Sequence, residues 1–395
     1  MNILRVMGTP SYNYGSQERF LVKFSEFLNN KGDKLFILYE NVPSNKNFIK
    51  DTELAGGKIL FPVKENNSQL RSLGFFSKII KHWNYYFNFK KIKYLNEIIN
   101  VLKIDLVHCY FLPSAYSMFS SRYYNIPCVR TIGNPVIESS KYLGISINFS
   151  FLVKFYSSFA LQFCFLDKII CLSAPINSEF KSFKFNENKM VTINTGVDLD
   201  VYKPAVYNLE QFKPEKDVFR IGFTGRLNIQ KNLHFLIKVF NNFSANFPKS
   251  ELLIIGDGDE RKSLELLCRN LGCEDKVKFT GRISDIKPIL SSLDVFIMTS
   301  FYEGMPGSLL EAMSMEKACV VSSISSFRAG IVHEENGFLC DLSKEEDFLH
   351  CLSELYNDRQ KIYRIGKKAR ESVLQNYNVN DRVSNEYSLY KKLLN

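Results

Sequence analysis

No C-x-x-C pair occurs among the nine cysteines of this 395-residue chain. Cys268 and Cys273 stand close together, but no second pair lies near enough to close a zinc site. Scattered single cysteines read instead as buried thiols in a reducing compartment. No apolar run approaches the roughly 20 residues a spanning helix needs. The most apolar stretch, Leu143–Leu166, is broken by Ser146, Asn148, Lys154, Ser157, Ser158 and Gln162. The opening MNILRVMGTP lacks the basic region and apolar core of a secretory signal and reads as a first strand over Ile3–Met7. A G-x-G-x-x-G fingerprint is missing, which weighs against dinucleotide binding. Repeats of 20–50 residues and low-complexity tracts are missing too, so a solenoid is excluded.

What is present is globular: 45% hydrophobic and 23% charged residues. The length suits two domains better than one. Short β-branched runs alternate with amphipathic stretches. Asn2–Met7, Lys34–Tyr39, Leu106–Cys109, Cys128–Thr131 and Lys168–Leu172 read as strands in the first half. Phe219–Phe223, Glu251–Ile255, Val295–Met298 and Ala318–Ser322 do so in the second. Gln17–Lys31 and Asn232–Phe247 read as helices between them. This alternation predicts an α/β protein with parallel sheets covered on both faces. The pattern restarts after residues 201–217, which hold Pro204 and Pro214 without a clear period. The expected domains are therefore 1–200 and 218–378, with 201–217 as linker and a last helix over 379–395.

Ligands of open α/β sheets bind beyond the carboxyl ends of the strands. One post-strand segment stands out there. Ser300–Glu311 carries Glu303 and Glu311 around Gly304, Met305, Pro306 and Gly307, and a helix is expected to start at Ser308. The glycines let backbone amides approach a ligand, and amides at a helix start favour anions. The two carboxylates suit two sets of hydroxyls with phosphates between them. Arg226 and Lys231 follow another strand and suit a diphosphate. Asp198-Leu-Asp200 and Asp257-Gly-Asp259 look like metal motifs, but they fit local turn bonding better, so no metal is expected.

Taken in order, Gly225-Arg226, Lys231, Gly256-Asp-Gly, Gly281-Arg282 and Glu303-x7-Glu311 resemble the retaining glycosyltransferases of family four, with the GT-B fold. The resemblance implies two Rossmann-like domains facing across a cleft, with the C-terminal helix crossing back to the N-terminal domain. It also implies an N-terminal acceptor domain and a C-terminal nucleotide-sugar domain. Glu303 would bind donor-sugar hydroxyls and Glu311 the ribose. Arg226 and Lys231 would hold the diphosphate. Amides from Gly304 to Ser308, with Met305 nearby, would meet the sugar and α-phosphate, and the backbone at Arg282 the base. Gly15-Ser-Gln-Glu resembles the family's Gly-Gly-x-Glu loop, with Ser16 replacing the second glycine. Asp105-Leu-Val-His-Cys-Tyr resembles a strand ending in His-x-His; His108 fits the first histidine and Tyr110 replaces the second.

The implied activity moves a sugar from a UDP- or GDP-sugar to a hydroxyl of a glycan or lipid-linked acceptor in bacterial surface-polysaccharide synthesis. Retention would proceed by same-face attack, without cofactor or metal. A nucleotide-sugar epimerase or hydrolase and a non-catalytic nucleotide-binding module are the alternatives. The charge of +10 is lopsided, with 24 basic against 15 acidic residues in the first 200. Arg71–Lys93 holds six of these cations and no acid, interleaved with Trp83, Tyr85, Tyr86, Phe87 and Phe89. It fits either a solvated helix face or a peripheral contact with an anionic membrane, and no nucleic-acid motif accompanies it. A cytoplasmic protein reaching the inner membrane face is the expected setting.

Overall fold

The computed structural model describes residues 1–8, 15–41, 43, 45–61, 89–110, 114–135, 165–182, 186–208, 212 and 217–395. Among the described residues, thirteen strands form two sheets. β1 (Asn2–Met7), β2 (Lys34–Tyr39), β3 (Lys58–Leu60), β4 (Leu106–Tyr110), β5 (Cys128–Ile132), β6 (Lys168–Cys171) and β7 (Met190–Thr192) pair in the order β3-β2-β1-β4-β5-β6-β7. β8 (Phe219–Thr224), β9 (Ser250–Ile255), β10 (Val277–Gly281), β11 (Val295–Met298), β12 (Ala318–Ser322) and β13 (Phe338–Cys340) pair as β10-β9-β8-β11-β12-β13. Every strand pairing is parallel. The strands are buried along nearly their whole length, as in Val295–Met298, because helices cover both faces. The second sheet has the doubly wound order 3-2-1-4-5-6, and the first extends that order by one strand.

Each sheet reverses its winding once, between β1 and β4 and between β8 and β11. The loops leaving those strands diverge there and open a crevice. The two crevices face one another.

The last helix, Val379–Leu394, belongs by packing to the first sheet. Val379, Val383 and Tyr390 share a buried cluster with Phe20, Leu21, Phe24 and Leu28 of the first helix, Ser16–Asn30. Tyr390 meets Phe24 edge-on at 5.9 Å between centroids, and Tyr387 meets Phe27 at 5.3 Å. Burying each such large side chain is worth about 1.5–3 kcal/mol. The chain thus crosses between the sheets twice, and the crossings are tied together. Val197 N–H donates to Tyr377 O at 2.8 Å, and Val379 N–H donates to Val197 O at 3.0 Å. The eight described cysteines are buried free thiols. No helix among the described residues is long and apolar enough to cross a membrane.

Candidate active site

The loop after β8 and the loop after β11 are stitched together by hydrogen bonds. Thr299 Oγ1 donates to Lys231 O and Asn232 O at 3.1 Å each. Phe301 N–H donates to Gln230 O at 2.9 Å, and Gln230 Nε2 donates to Tyr302 O at 2.9 Å. This frame brings the Lys231 ammonium onto the Glu303 carboxylate in an ion pair, with both side chains nearly buried. Glu303 is held by an opposite charge and still lines a cavity of about 150 Å3 between the domains. The second-domain wall of that cavity is Glu303–Gly307. Ser16, Tyr110, Gly133, Asn134 and Thr195 supply the first-domain wall, and Arg382 comes from the last helix.

The helix Gly307–Ser314 starts at this cavity. Its N-cap is Pro306, whose side chain accepts nothing, so the first-turn amides have no side-chain cap. Such amides carry partial positive charge and suit an anion. The first helix also begins here, at Ser16. The two N-termini approach so closely that a Cβ on Gly307 would lie 2.4 Å from Ser16 Cβ. Gly304 is confined in the same way: a Cβ there would lie 1.8 Å from Gly133 O. Its amide donates to Asn134 Oδ1 at 3.1 Å, so the domains touch through backbone at this point.

Glu311 sits one turn into the helix and is buried. It lines a second cavity of about 270 Å3 with Ser16, Lys23, Asp198, Tyr202 and Gly307. Its partner is Arg19 of the first helix, across the domain boundary. Burial works against the Arg19 charge, but Glu311 outweighs it and raises the guanidinium pKa. The carboxylate that the sequence pattern offers to a ribose is therefore paired with Arg19.

The remaining expected residues lie as follows. Gly15 precedes the first helix, and its amide donates to Glu18 at 3.1 Å. Met305 is buried on the cavity wall, and Ser308 is half-buried at the helix start. Arg226 is exposed, off the walls of both cavities, on the same loop as Lys231. Arg282 is exposed just after β10. His108 needs a correction: it lies wholly inside the fold, away from the cleft wall. Its Nδ1 is 2.5 Å from Tyr390 Oη and its Nε2 is 2.7 Å from Thr131 Oγ1. Burial first, and Arg5 second, push its pKa well below the usual 6.5, so the ring is neutral. The reason is depth along the strand: His108 and Tyr110, two apart, share one face of β4, but His108 sits further in beneath Tyr390, and it is Tyr110, at the strand end, that reaches the cavity. Asp198 Oδ1 accepts from the amides of Asp200 and Val201, and Asp257 Oδ1 from that of Gly258, which are turn bonds. Of Arg71–Lys93, residues 71–88 lie outside the described residues.

Arg19, Asn134 and Arg382 join the site without a motif to announce them. Asn134 stands just past β5, at the kind of strand end where ligands bind. Arg382 and Glu386 form an ordinary-looking i,i+4 pair in the sequence of a surface helix.

Residues 17–201 match Glycosyltransferase Family 4, and residues 208–372 match Glycosyl transferases group 1. The chain belongs to glycosyltransferase family 4. This glycosyltransferase is 27% identical over 323 residues to the Escherichia coli UDP-Gal:alpha-D-GlcNAc-diphosphoundecaprenol alpha-1,3-galactosyltransferase, covering 77% of this chain and 81% of that protein. It is 26% identical over 365 residues to the Campylobacter jejuni N,N'-diacetylbacillosaminyl-diphospho-undecaprenol alpha-1,3-N-acetylgalactosaminyltransferase, covering 85% and 91%. The solved structure of Anabaena HepE in complex with UDP matches it with a TM-score of 0.78 at 18% identity, over 99% of this chain and 100% of that one. The sucrose-phosphate synthase from Thermosynechococcus elongatus matches with 0.79 at 15% identity, over 100% and 99%. The fold of the glycosyltransferase is thus GT-B.

Proposed function

We propose that this glycosyltransferase is a retaining, metal-independent hexosyltransferase that uses a UDP-sugar and extends a lipid-linked glycan in bacterial surface-polysaccharide synthesis. The observation that carries the reading is the interdomain cavity where the Lys231–Glu303 pair, the Gly304–Gly307 backbone and the uncapped helix start converge. Two curated relatives support the acceptor, since their names specify diphosphoundecaprenol-linked sugars. UDP-Gal in one of those names and UDP in the HepE complex favour UDP over GDP.

In this reading the first domain holds the acceptor and the second holds the nucleotide sugar. Glu303 accepts from sugar hydroxyls while Lys231 holds it in place. Glu311 exchanges Arg19 for the ribose hydroxyls. The amides of Gly304–Ser308 meet the sugar and α-phosphate, and the backbone at Arg282 meets the base. Lys231, Arg226 and the helix start take the charge that grows on the departing diphosphate, so no metal is required for that task. The bond from the anomeric carbon to the phosphate oxygen breaks. The acceptor oxygen bonds to the same carbon from the same face, and its proton passes to the leaving phosphate. Tyr110, rather than His108, faces the sugar from the first domain. A membrane contact through Arg71–Lys93 would bring the cleft to a lipid-borne acceptor.

The test is nucleotide binding followed by product stereochemistry. UDP should raise the thermal midpoint more than GDP or ADP at equal concentration, because a ligand of the folded state stabilises it by mass action. Lys231→Ala should lose most of that shift. The product anomer, read by NMR coupling constants, should match the donor's. No shift with any of the three nucleotides, or an inverted anomer, would overturn the reading.

A further inference from the structure

Beneath the cleft lies a buried cluster whose charges do not balance. Arg5 of β1 and Arg382 of the last helix share one carboxylate, Glu386. Arg5 Nη2 donates to Glu386 and, at 2.8 Å, to Tyr390 Oη, while its Nε and Nη1 are buried with no partner. Arg382 Nε donates to Glu386 Oε1 at 3.0 Å, and its Nη2 donates to Tyr110 Oη at 3.2 Å. Both guanidiniums stack on Phe20, Arg382 at 3.7 Å and Arg5 at 5.2 Å from the ring centroid. The His108 ring, also in the cluster, is neutral. Two permanent cations therefore face one anion in a buried cluster, where an uncompensated charge is costly.

The geometry says where compensation comes from. Arg382 is nearly buried yet lines the 150 Å3 cavity, on the side opposite Glu303–Gly307. Its Nη1 has no hydrogen-bond partner among the described residues. The facing wall offers the uncapped amides of a helix start, and its one carboxylate, Glu303, is already neutralised by Lys231. A guanidinium fork on one side and helix-start amides on the other complement the tetrahedral oxygens of a phosphate.

We propose that Arg382 binds a phosphate oxygen in the cleft, so that the C-terminal helix supplies a substrate-binding residue as well as a structural clamp. The inference rests on the cleft being the substrate site. The phosphate is either that of the donor's diphosphate or that of a phosphate-bearing acceptor, and the two are separable.

The full-length chain carrying Arg382→Met keeps the side-chain stem on Phe20 and removes the charge; Arg382→Lys keeps the charge and removes the fork. UDP and inorganic pyrophosphate binding are measured by calorimetry. Turnover is measured with a sugar-diphosphate-lipid acceptor and with an alkyl glycoside of the same sugar that lacks phosphate. R382M should lose at least tenfold in one arm, and R382K at least threefold in the same arm. Weaker UDP binding assigns the contact to the donor. A lower kcat/KM for the diphosphate acceptor, with the alkyl glycoside unchanged, assigns it to the acceptor. Where R382M fails to fold, R382K carries the comparison alone, and no weakening in it overturns the proposal. Variants that stay within twofold of the parent in both arms, while Lys231→Ala has lost UDP, also overturn it and leave the cleft assignment standing. A parent chain that binds neither UDP nor pyrophosphate removes the cleft assignment and this proposal together.

Discussion

Glu386 is the most informative single substitution outside the cleft. Glu386→Gln keeps the shape and removes the only negative charge that, among the described residues, pairs with Arg5 and Arg382. Both side chains of the Arg5–Glu386 pair are fully buried, so water cannot take over. Removing one partner from a buried pair costs about 3–5 kcal/mol, because a charge is stranded. A domain of 150–250 residues loses roughly 2–4 °C of midpoint per kcal/mol. Differential scanning calorimetry should therefore show the transition of the first domain falling by roughly 6–20 °C. Glu371→Gln is the comparison, since Glu371 pairs with Lys368 where both are half exposed, and such pairs contribute little. Its midpoint should stay where it was. The deficit should also depend on pH. Burial would raise the Glu386 pKa, but Arg5 and Arg382 outweigh it and hold the carboxyl down to about 2, against 4.5 unperturbed. A carboxylate with a lowered folded pKa adds stability above its unfolded value and loses it as pH falls toward the folded one. The gap between parent and E386Q should thus narrow below pH 4.5 and nearly close by about pH 2. A gap that is small at pH 7, or that widens on acidification, refutes the charge argument.

His108 gives the complementary signal at milder pH. Its folded pKa lies well below 6.5 while the unfolded ring takes a proton near that value, so the unfolded state binds more protons and stability drops as pH falls through 6.5. His108→Gln should flatten the midpoint between pH 7 and 5; an unchanged slope would mean the ring is not buried neutral. Gly304→Ala tests domain closure, since the added Cβ would sit 1.8 Å from Gly133 O. It should lower kcat roughly 100-fold, the scale of losing one preorganised contact. Near-parental turnover in steady-state assays would show that the two backbones do not meet during the reaction.

Most of the architecture is legible in the sequence because parallel strands are buried on both faces and announce themselves as short apolar runs. Val295–Met298 and Ala318–Ser322 are read to the residue. The helix after Gly304–Gly307 is legible because glycine and proline leave few other conformations there. Sequence spacing cannot show which of two residues on the same strand face reaches a cavity when a motif is imperfect. His108 and Tyr110 are two apart on β4 and could each be the cleft residue by pattern, and only the fold shows the histidine packed beneath Tyr390. Contacts between distant segments are equally invisible. Arg19 on Glu311 and Asn134 on Gly304 join residues 292 and 170 positions apart, with no local pattern to betray them.

The pairing of Arg5 with Glu386 spans 381 positions and sets an order of events during synthesis. The strand bearing Arg5 leaves the ribosome before the second sheet does, and its carboxylate partner emerges only after that sheet has been made. Until then the first domain carries the Arg5 guanidinium without its acid and a bare apolar face where Val383 and Tyr390 will dock. The half of the molecule that is translated first is therefore the half that finishes folding last, and a ribosome stalled anywhere before residue 386 holds a sheet that lacks its cover.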